Sequence, residues 1–346
     1  MKPLRTLVSS ARALALGAML AMGLQVHVQA QTDPLPSWNE GAAKQAIVDF
    51  VQTTTRQGSP NFVPPAERIA TFDQDGTLWV EHPIYTQVMY VLERVPALVE
   101  AKPELAKVAP YSTVLAALKG ERAAIAKLTM PELMKLVAAT STGMSVETFQ
   151  AEAKKWLAEA KDPRWKKPYT DLSYLPMQEV LKYLRTNGFK TYIVTGGGQD
   201  FVRVYSEGLY GIPPEQVVGT AGGTSYGYAK DGTPLLSKEP KLLLNDNDAG
   251  KPEGIHLMIG RRPLLAVGNS TGDRQMLEYT QAGSGARLSM LLLHDDAKRE
   301  YAYGPAQGLP ATQVGSFTQA LYDQAKKQGW VVISMKDDWK KIFAFD

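Results

Sequence analysis

The sequence predicts an α/β protein, an open parallel sheet with helices on both faces and a helical cap inserted into it. Three observations carry that expectation. First, RIATFD (68–73), KTYIVT (190–195), PLLAVG (263–268), RLSMLLL (287–293) and WVVIS (330–334) are apolar runs of strand length. Second, helical patterns lie between them, and strand–helix–strand order at this spacing builds a parallel sheet. Third, residues 84–170, between the first two strands, are rich in Ala, Leu, Lys and Glu, with apolar residues at helical spacing.

The individual elements follow. PMQEVLKYLRTNG (176–188) reads as a helix closed by Asn187-Gly188, and DRQMLEYTQ (273–281) and FTQALYDQAKKQG (317–329) read as two more. Within 84–170, Pro96, Pro103, Pro110 and Pro131 are expected to cut the block into short helices, after Pro83 ahead of it. An inserted helical block commonly forms a lid. Near the start, QTDPLPSW (31–38) reads as a linker. Ser37 with Glu40 fits a capping box ahead of AAKQAIVDFVQTT (42–54). The expected organisation is a signal peptide at 1–30, an N-terminal helical extension at 31–66, an α/β core at 67–83 and 171–346, and a helical cap at 84–170.

Composition narrows the function. Lys2, Arg5 and Arg12 precede a short apolar run, ALALGAMLAMGL (13–24), and then VQA (28–30). This is the three-part pattern of a secretory signal peptide, which implies a periplasmic protein. The alternative is an uncleaved anchor, but a membrane-spanning helix needs roughly twenty apolar residues. Of 38 basic and 35 acidic residues, three basic ones and no acid lie in 1–30, so the remaining 316 residues balance. No global basic field argues for nucleic acid, and no stable membrane insertion is expected after cleavage. The six tryptophans and fifteen tyrosines form no stripe for stacking bases. With no cysteine, disulfides and thiolate chemistry are excluded.

Four segments hold residues suited to chemistry. TFDQDGTLW (71–79) places Asp73 at a strand end with Asp75 two residues on. Ligands of parallel sheets bind beyond the carboxyl ends of strands. Two acids this close repel unless a divalent cation compensates or one stays protonated. A site using both remedies has a nucleophile beside the metal and a proton donor next to it. The plainer reading is a turn, in which Asp and Gly are common. In YIVTGGGQDF (192–201), Thr195 and the N–H groups of Gly196 and Gly197 suit an anion, although any strand-to-helix turn uses glycine. In LLAVGNSTGDRQML (264–277), Asn269 and Asp273 are oxygen ligands of the kind Mg2+ takes, or Asp273 is an acid favoured at a helix start. In AGKPEGI (249–255), Lys251 could reach a phosphate as a point charge, with Lys238 and Lys241 as competitors.

Taken in order, D-x-D-G-T, T-G-G, a lysine and G-N-x-x-x-D resemble the haloacid dehalogenase-like hydrolase superfamily, nearest its phosphoserine phosphatase-like branch. The resemblance covers roughly residues 67–300. It implies a Rossmann-like sheet with a helical cap between the first two motifs. It also implies roles: Asp73 as the nucleophile that takes up the phosphoryl group, and Asp75 as acid and then base. Mg2+ would be held by Asp73, the Asp75 carbonyl and the fourth motif, Asn269 and Asp273. Thr195, Gly196, Gly197 and Lys251 would bind the transferring phosphate. Asn269 departs from the family, where many members have aspartate, and leaves open which of Asn269 and Asp273 meets the metal.

The expected function is Mg-dependent hydrolysis of small phosphate monoesters in the periplasm. The alternatives are phosphoryl transfer to an alcohol, carbon–phosphorus or carbon–halogen cleavage on the same fold, or a non-catalytic binding protein. Intact Asp75 and Thr77 argue against halide release. The partner expected is a small phosphorylated metabolite, and oligomeric state is open. The resemblance implies a glutamate near the first motif that reads a substrate amine, and Glu81 stands one residue off that place; Glu81 is instead expected to be a polar residue at the cap entrance, beside His82. His294, Asp295 and Asp296 are expected in a loop salt-bridged by Lys298 and Arg299, and His256 to be structural within an apolar helical run.

Overall fold

The computed structural model describes residues 33–121, 124–125 and 128–346; the expected signal peptide lies outside them. Ahead of the sheet comes helix α1 (Ala42–Thr55). The five expected strands are present as β1 (Ile69–Phe72), β2 (Lys190–Gly198), β5 (Leu265–Gly268), β6 (Leu288–Leu293) and β7 (Val331–Ser334). Two more, β3 (Val217–Tyr228) and β4 (Pro234–Leu244), were not expected. The sheet order is β4-β3-β2-β1-β5-β6-β7, parallel throughout except for the antiparallel β3–β4 pair.

Among the described residues, five α-helices stand between β1 and β2: α2 (Thr86–Ala101), α3 (Tyr111–Leu118), α4 (Met130–Ser141), α5 (Val146–Glu159) and α6 (Leu175–Thr186). The short helices α7 (Gln199–Arg203) and α8 (Ser206–Tyr210) follow β2, and α9 (Gly250–Gly254) precedes β5. Helices α10 (Arg274–Gln281), α11 (Gln319–Gln328) and α12 (Met335–Asp338) complete the chain.

Strand alternation sends side chains to two cores. Phe72, Leu265, Val267, Met290, Leu292 and Ile333 join one cluster with α1 (Ile47, Val51) and α6 (Val180, Leu184). Val194, Ala266, Leu291 and Leu293 join the other with α10 (Met276, Leu277) and α11 (Leu321, Ala325). Covered on both faces, β1, β5 and β6 are buried at every position, which is why they read as unbroken apolar runs. Tyr90 and Val95 of α2, Val114 of α3, Leu136 of α4 and Phe149 of α5 belong to the same cluster as α1 and α6.

Local chemistry accounts for three departures. Pro96 lies inside α2 rather than ending it, so that helix runs on with one main-chain bond fewer. Pro110 stands at the N-cap of α3 and Pro131 in the first turn of α4, as their missing N–H groups allow. The capping box does not form. The N-cap of α1 is Gly41, Glu40 pairs with Lys44 at 2.6 Å, and the Ser37 N–H bonds Glu179 at 3.0 Å. The stretch read as a linker is packed into the protein: Leu35 and Trp38 are fully buried. Trp38 lies edge-on to Trp339 at 5.9 Å between centroids, and its indole N–H donates to the Pro176 carbonyl at 3.1 Å. That anchor leads to a prediction. Trp38→Ala should lower unfolding free energy by about 3–5 kcal/mol, read as a shifted midpoint in a urea titration.

Candidate active site

Register brings the site together. Phe72 of β1 pairs with Ile193 of β2 and Val267 of β5, so the chain leaves all three strands side by side. The Asp73 N–H donates to the Val267 carbonyl at 2.9 Å, which holds Asp73 at the sheet's rim. The chain then turns sharply, with Leu78 N–H donating to Gln74 O at 2.9 Å. Gly76 takes a φ of +77°, and a Cβ there would overlap the Asn269 amide and the Glu81 carboxyl, so only glycine fits. This turn returns Trp79 beneath Asp75, and the indole N–H donates to Asp75 Oδ1 at 2.7 Å. Trp79 in turn stacks on Tyr205 at 4.6 Å.

Lys251, carried by α9, is the lysine that enters the crevice. Its ammonium contacts Asp73 Oδ1 at 2.5 Å, Asp273 Oδ1 at 2.6 Å and the Val194 carbonyl at 2.8 Å. Three acceptors match its three protons. Its competitors lie elsewhere: Lys238 of β4 pairs with Asp200 and sits over the Phe149 ring, and Lys241 is exposed on β4. The second oxygen of Asp273 accepts from the N–H groups of Asn269 and Ser270, both at 3.0 Å. Both carboxylate oxygens of Asp273 are therefore engaged by protein groups. Asn269 Oδ1 accepts from the Thr77 hydroxyl at 3.1 Å, and its Nδ2 donates to Glu81 at 2.6 Å.

The three glycines, expected in a turn after the strand, form the irregular end of β2, where its register against β3 shifts between Thr195 and Gly198. Gly197 N–H donates to Thr195 Oγ1 at 3.0 Å, and Gly198 N–H to Gln87 Oε1 of α2 at 2.7 Å. Thr195 and the Gly197 N–H thus face each other within the turn. Gly196 is exposed, and its carbonyl accepts from Thr220 at 2.8 Å.

Burial sets the electrostatics. It pushes Asp75 up to about 6, against the Trp79 N–H and the Lys251 charge. Burial and the nearby Asp273 push Asp73 up to about 8, with Lys251 opposing. Burial disfavours the Lys251 charge, but Asp273 and Asp73 outweigh it and hold the ammonium firmly protonated. Glu81 is raised well above the carboxylate range by burial, despite hydrogen bonds from Tyr303 and Asn269. Burial takes His82 down to about 4. Most of the site is buried: Asp73 is 7% exposed, and Thr195, Lys251, Asn269 and Asp273 are 1% exposed each, while Asp75 and Gly197 are half-buried and Gly196 is exposed. Clefts of about 320 and 450 Å³, beside Arg287 and Arg94, contain none of these side chains.

Several residues lie where sequence reasoning did not put them. Glu81 is 2% exposed behind Gly76 and Asn269, not at an entrance; its carboxyl has donors there that solvent would otherwise supply. His294 is buried, and its Nε2 donates to the Gly76 carbonyl at 2.7 Å while its Nδ1 lies 3.1 Å from Glu300. The Asp296–Arg299 pair forms at 2.5 Å, whereas Lys298 contributes its main-chain N–H. His256 is exposed, with Leu257 and Met258, on a turn of π-helix after α9. The roles of Trp79 and Gln87 had no sequence signal, since contact with Asp75 and Gly198 is a matter of the turn and of α2's placement.

Among the described residues, no three His, Cys, Asp or Glu side chains converge as a metal cage. One carboxylate, one amide oxygen and one main-chain carbonyl, from Asp73, Asn269 and Asp75, are hard oxygen donors. Such a set fits Mg2+, which keeps several waters and needs only one or two carboxylates.

Buried acids also make stability depend on pH. Burial pushes Asp246, near Lys251 and fully buried, from 3.8 up to about 7. Between those values the folded chain holds a proton that the unfolded chain has released, so stability falls as pH rises. Melting temperatures at pH 5 and pH 8 should therefore differ less in Asp246→Asn than in wild type.

Comparison with known proteins agrees with this geometry. The family model for haloacid dehalogenase-like hydrolases matches residues 70–278. A search of curated proteins returns no match. Among solved structures, a conserved functionally unknown protein from Anaerococcus prevotii shares the fold, at 15% identity, TM-score 0.51, and 73% and 86% of the two chains covered. A protein of unknown function from Bordetella pertussis follows, with 16% identity, TM-score 0.44, and 77% and 98% covered. A phosphoserine phosphohydrolase-like protein from Francisella tularensis has 17% identity, TM-score 0.36, and 66% and 88% covered. With its motifs gathered at the carboxyl ends of β1, β2 and β5, and with a family match over most of its length, this chain belongs to the haloacid dehalogenase-like hydrolases.

Proposed function

We propose that the protein is a Mg2+-dependent phosphatase of small phosphate monoesters, of the phosphoserine phosphatase-like kind, acting in the periplasm. The observation that carries this reading is Asp73: a buried carboxylate at a strand tip, 2.5 Å from the buried Lys251 ammonium, with a second carboxyl two residues on. Asp73, the Asp75 carbonyl and Asn269 would hold the ion. Bound there, Mg2+ supplies positive charge against the phosphoryl oxygens and against the Asp73 carboxylate.

The chain's own residues divide the rest of the work. A free oxygen of Asp73 attacks phosphorus, and the bond to the leaving oxygen breaks as Asp75 gives that oxygen its proton. The product is an aspartyl phosphate and a free alcohol. Asp75, now a carboxylate, takes a proton from water as the water attacks phosphorus, which frees inorganic phosphate and restores Asp73. A group pushed to about 6 can serve in both directions near neutral pH. The Trp79 indole holds Asp75 in place throughout. Lys251 and the turn at Thr195–Gly197 offset charge on the transferring group. A largely buried crevice, reached by solvent at Asp75 and the glycines, favours a small substrate, such as a phosphorylated amino acid, amino alcohol or sugar. The basic, then apolar, then small-residue start at 1–30 supports export.

The test is hydrolysis of p-nitrophenyl phosphate by the mature chain with and without Mg2+. Turnover should require the ion, and Asp73→Asn should lower kcat by more than about 10⁴-fold. Wild-type turnover unchanged by EDTA, or retained in Asp73→Asn, would defeat the proposal.

A further inference from the structure

We propose that Glu81 is a positioning residue that turns the Asn269 amide so that its oxygen, and not its nitrogen, faces the cation site. The inference rests on the metal reading above and concerns what the chain does about its own departure at Asn269. A carboxylate at this position has two equivalent oxygens and can meet a cation either way round. An amide has one oxygen and one NH2, and the NH2 repels a cation. Asparagine therefore needs an orienting partner that aspartate does not.

The structure supplies that partner. Glu81 Oε1 accepts from Asn269 Nδ2 at 2.6 Å. On the other side, Asn269 Oδ1 accepts from Thr77 Oγ1 at 3.1 Å. A hydroxyl can donate or accept, so Thr77 alone would allow both orientations. Glu81 Oε1, which also takes the Tyr303 O–H, is an acceptor and selects one, either as a carboxylate or as an acid with its proton on Oε2. Glu81 is itself held in a built cradle. The Tyr303 hydroxyl donates to the same Oε1 at 2.8 Å. Gly76 and Gly315, at φ of +77° and +63°, both pass so close that a Cβ on either would overlap the Glu81 carboxyl. A buried acid near Asp73 and Asp75 is unfavourable for folding alone, and an apolar side chain would fill the same space at lower cost.

Mn2+ binding to the full mature chain, followed by electron paramagnetic resonance, tests this without turnover. Glu81→Leu should weaken Mn2+ binding by about 10–100-fold. Adding Asn269→Asp in that background should restore affinity to within about threefold, because a symmetric carboxylate needs no orienting. The exchange Glu81→Gln with Asn269→Asp keeps one hydrogen bond between the pair with its direction reversed. It should bind Mn2+ at least as tightly as wild type, and it decides the matter if Glu81→Leu does not fold. Wild-type affinity in Glu81→Leu, no recovery on adding Asn269→Asp, or an exchange variant tenfold weaker than wild type would overturn the role of Glu81 alone. No Mn2+ binding by the wild-type chain would overturn the metal reading and this one with it.

Discussion

The Lys251 ammonium between Asp73 and Asp273 is the contact on which the rest of the site depends. It joins segments 178 residues apart in sequence at the meeting point of β1, β2 and β5. Each partner would be costly to bury alone. Removing one member of a buried ion pair typically costs about 3–5 kcal/mol, because the other charge is stranded. Here one cation serves two acids, and the two acids answer for different things. In the proposed reaction Asp73 carries the attacking oxygen. Asp273 spends its second oxygen on the main chain of Asn269 and Ser270, and so fixes the loop after β5. The same ammonium thus couples the position of Asp73, the proposed nucleophile, to the shape of the loop that would face the metal.

Around that contact the first turn is built as one piece. Gly76 admits a conformation closed to other residues. The turn it makes puts Trp79 under Asp75, Thr77 against Asn269, and the Gly76 carbonyl against His294. Each of these partners is tied to the turn by a hydrogen bond. Such an arrangement suits the proposed reaction, in which one carboxyl must first lose a proton to the leaving oxygen and then take one from water without moving.

Much of the core was legible in the sequence because buried parallel strands have no polar face. RIATFD, PLLAVG and RLSMLLL could not sit anywhere wet. The β3–β4 hairpin was not legible, for the opposite reason: Gly219, Gly222, Gly223 and Gly227 thin out β3, and Lys238, Glu239 and Pro240 interrupt β4. The packing of residues 34–38 was equally hidden, since it depends on Trp339 at the far end of the chain. In the site, Asp73, Asp75, Thr195, Asn269 and Asp273 stood out by following expected strands, whereas Lys251, which α9 carries, was only one of three candidate lysines. Glu81 and His294 stood out only as a polar residue at the cap entrance and a loop residue. Their neighbours come from the turn at Gly76 and from loops more than two hundred residues away, and no local pattern encodes such an encounter.

The irregular hairpin has a consequence of its own. A sheet ending in β4 would present a row of unpaired main-chain groups to any passing strand. Pro240 lacks an N–H to offer, the register slips on either side of Gly222, and Lys238, Glu239 and Lys241 crowd the strand with charge. At the opposite border, β7 is only four residues long. A border so poorly suited to templating disfavours edge-to-edge joining and lets each chain close upon itself before another can join it.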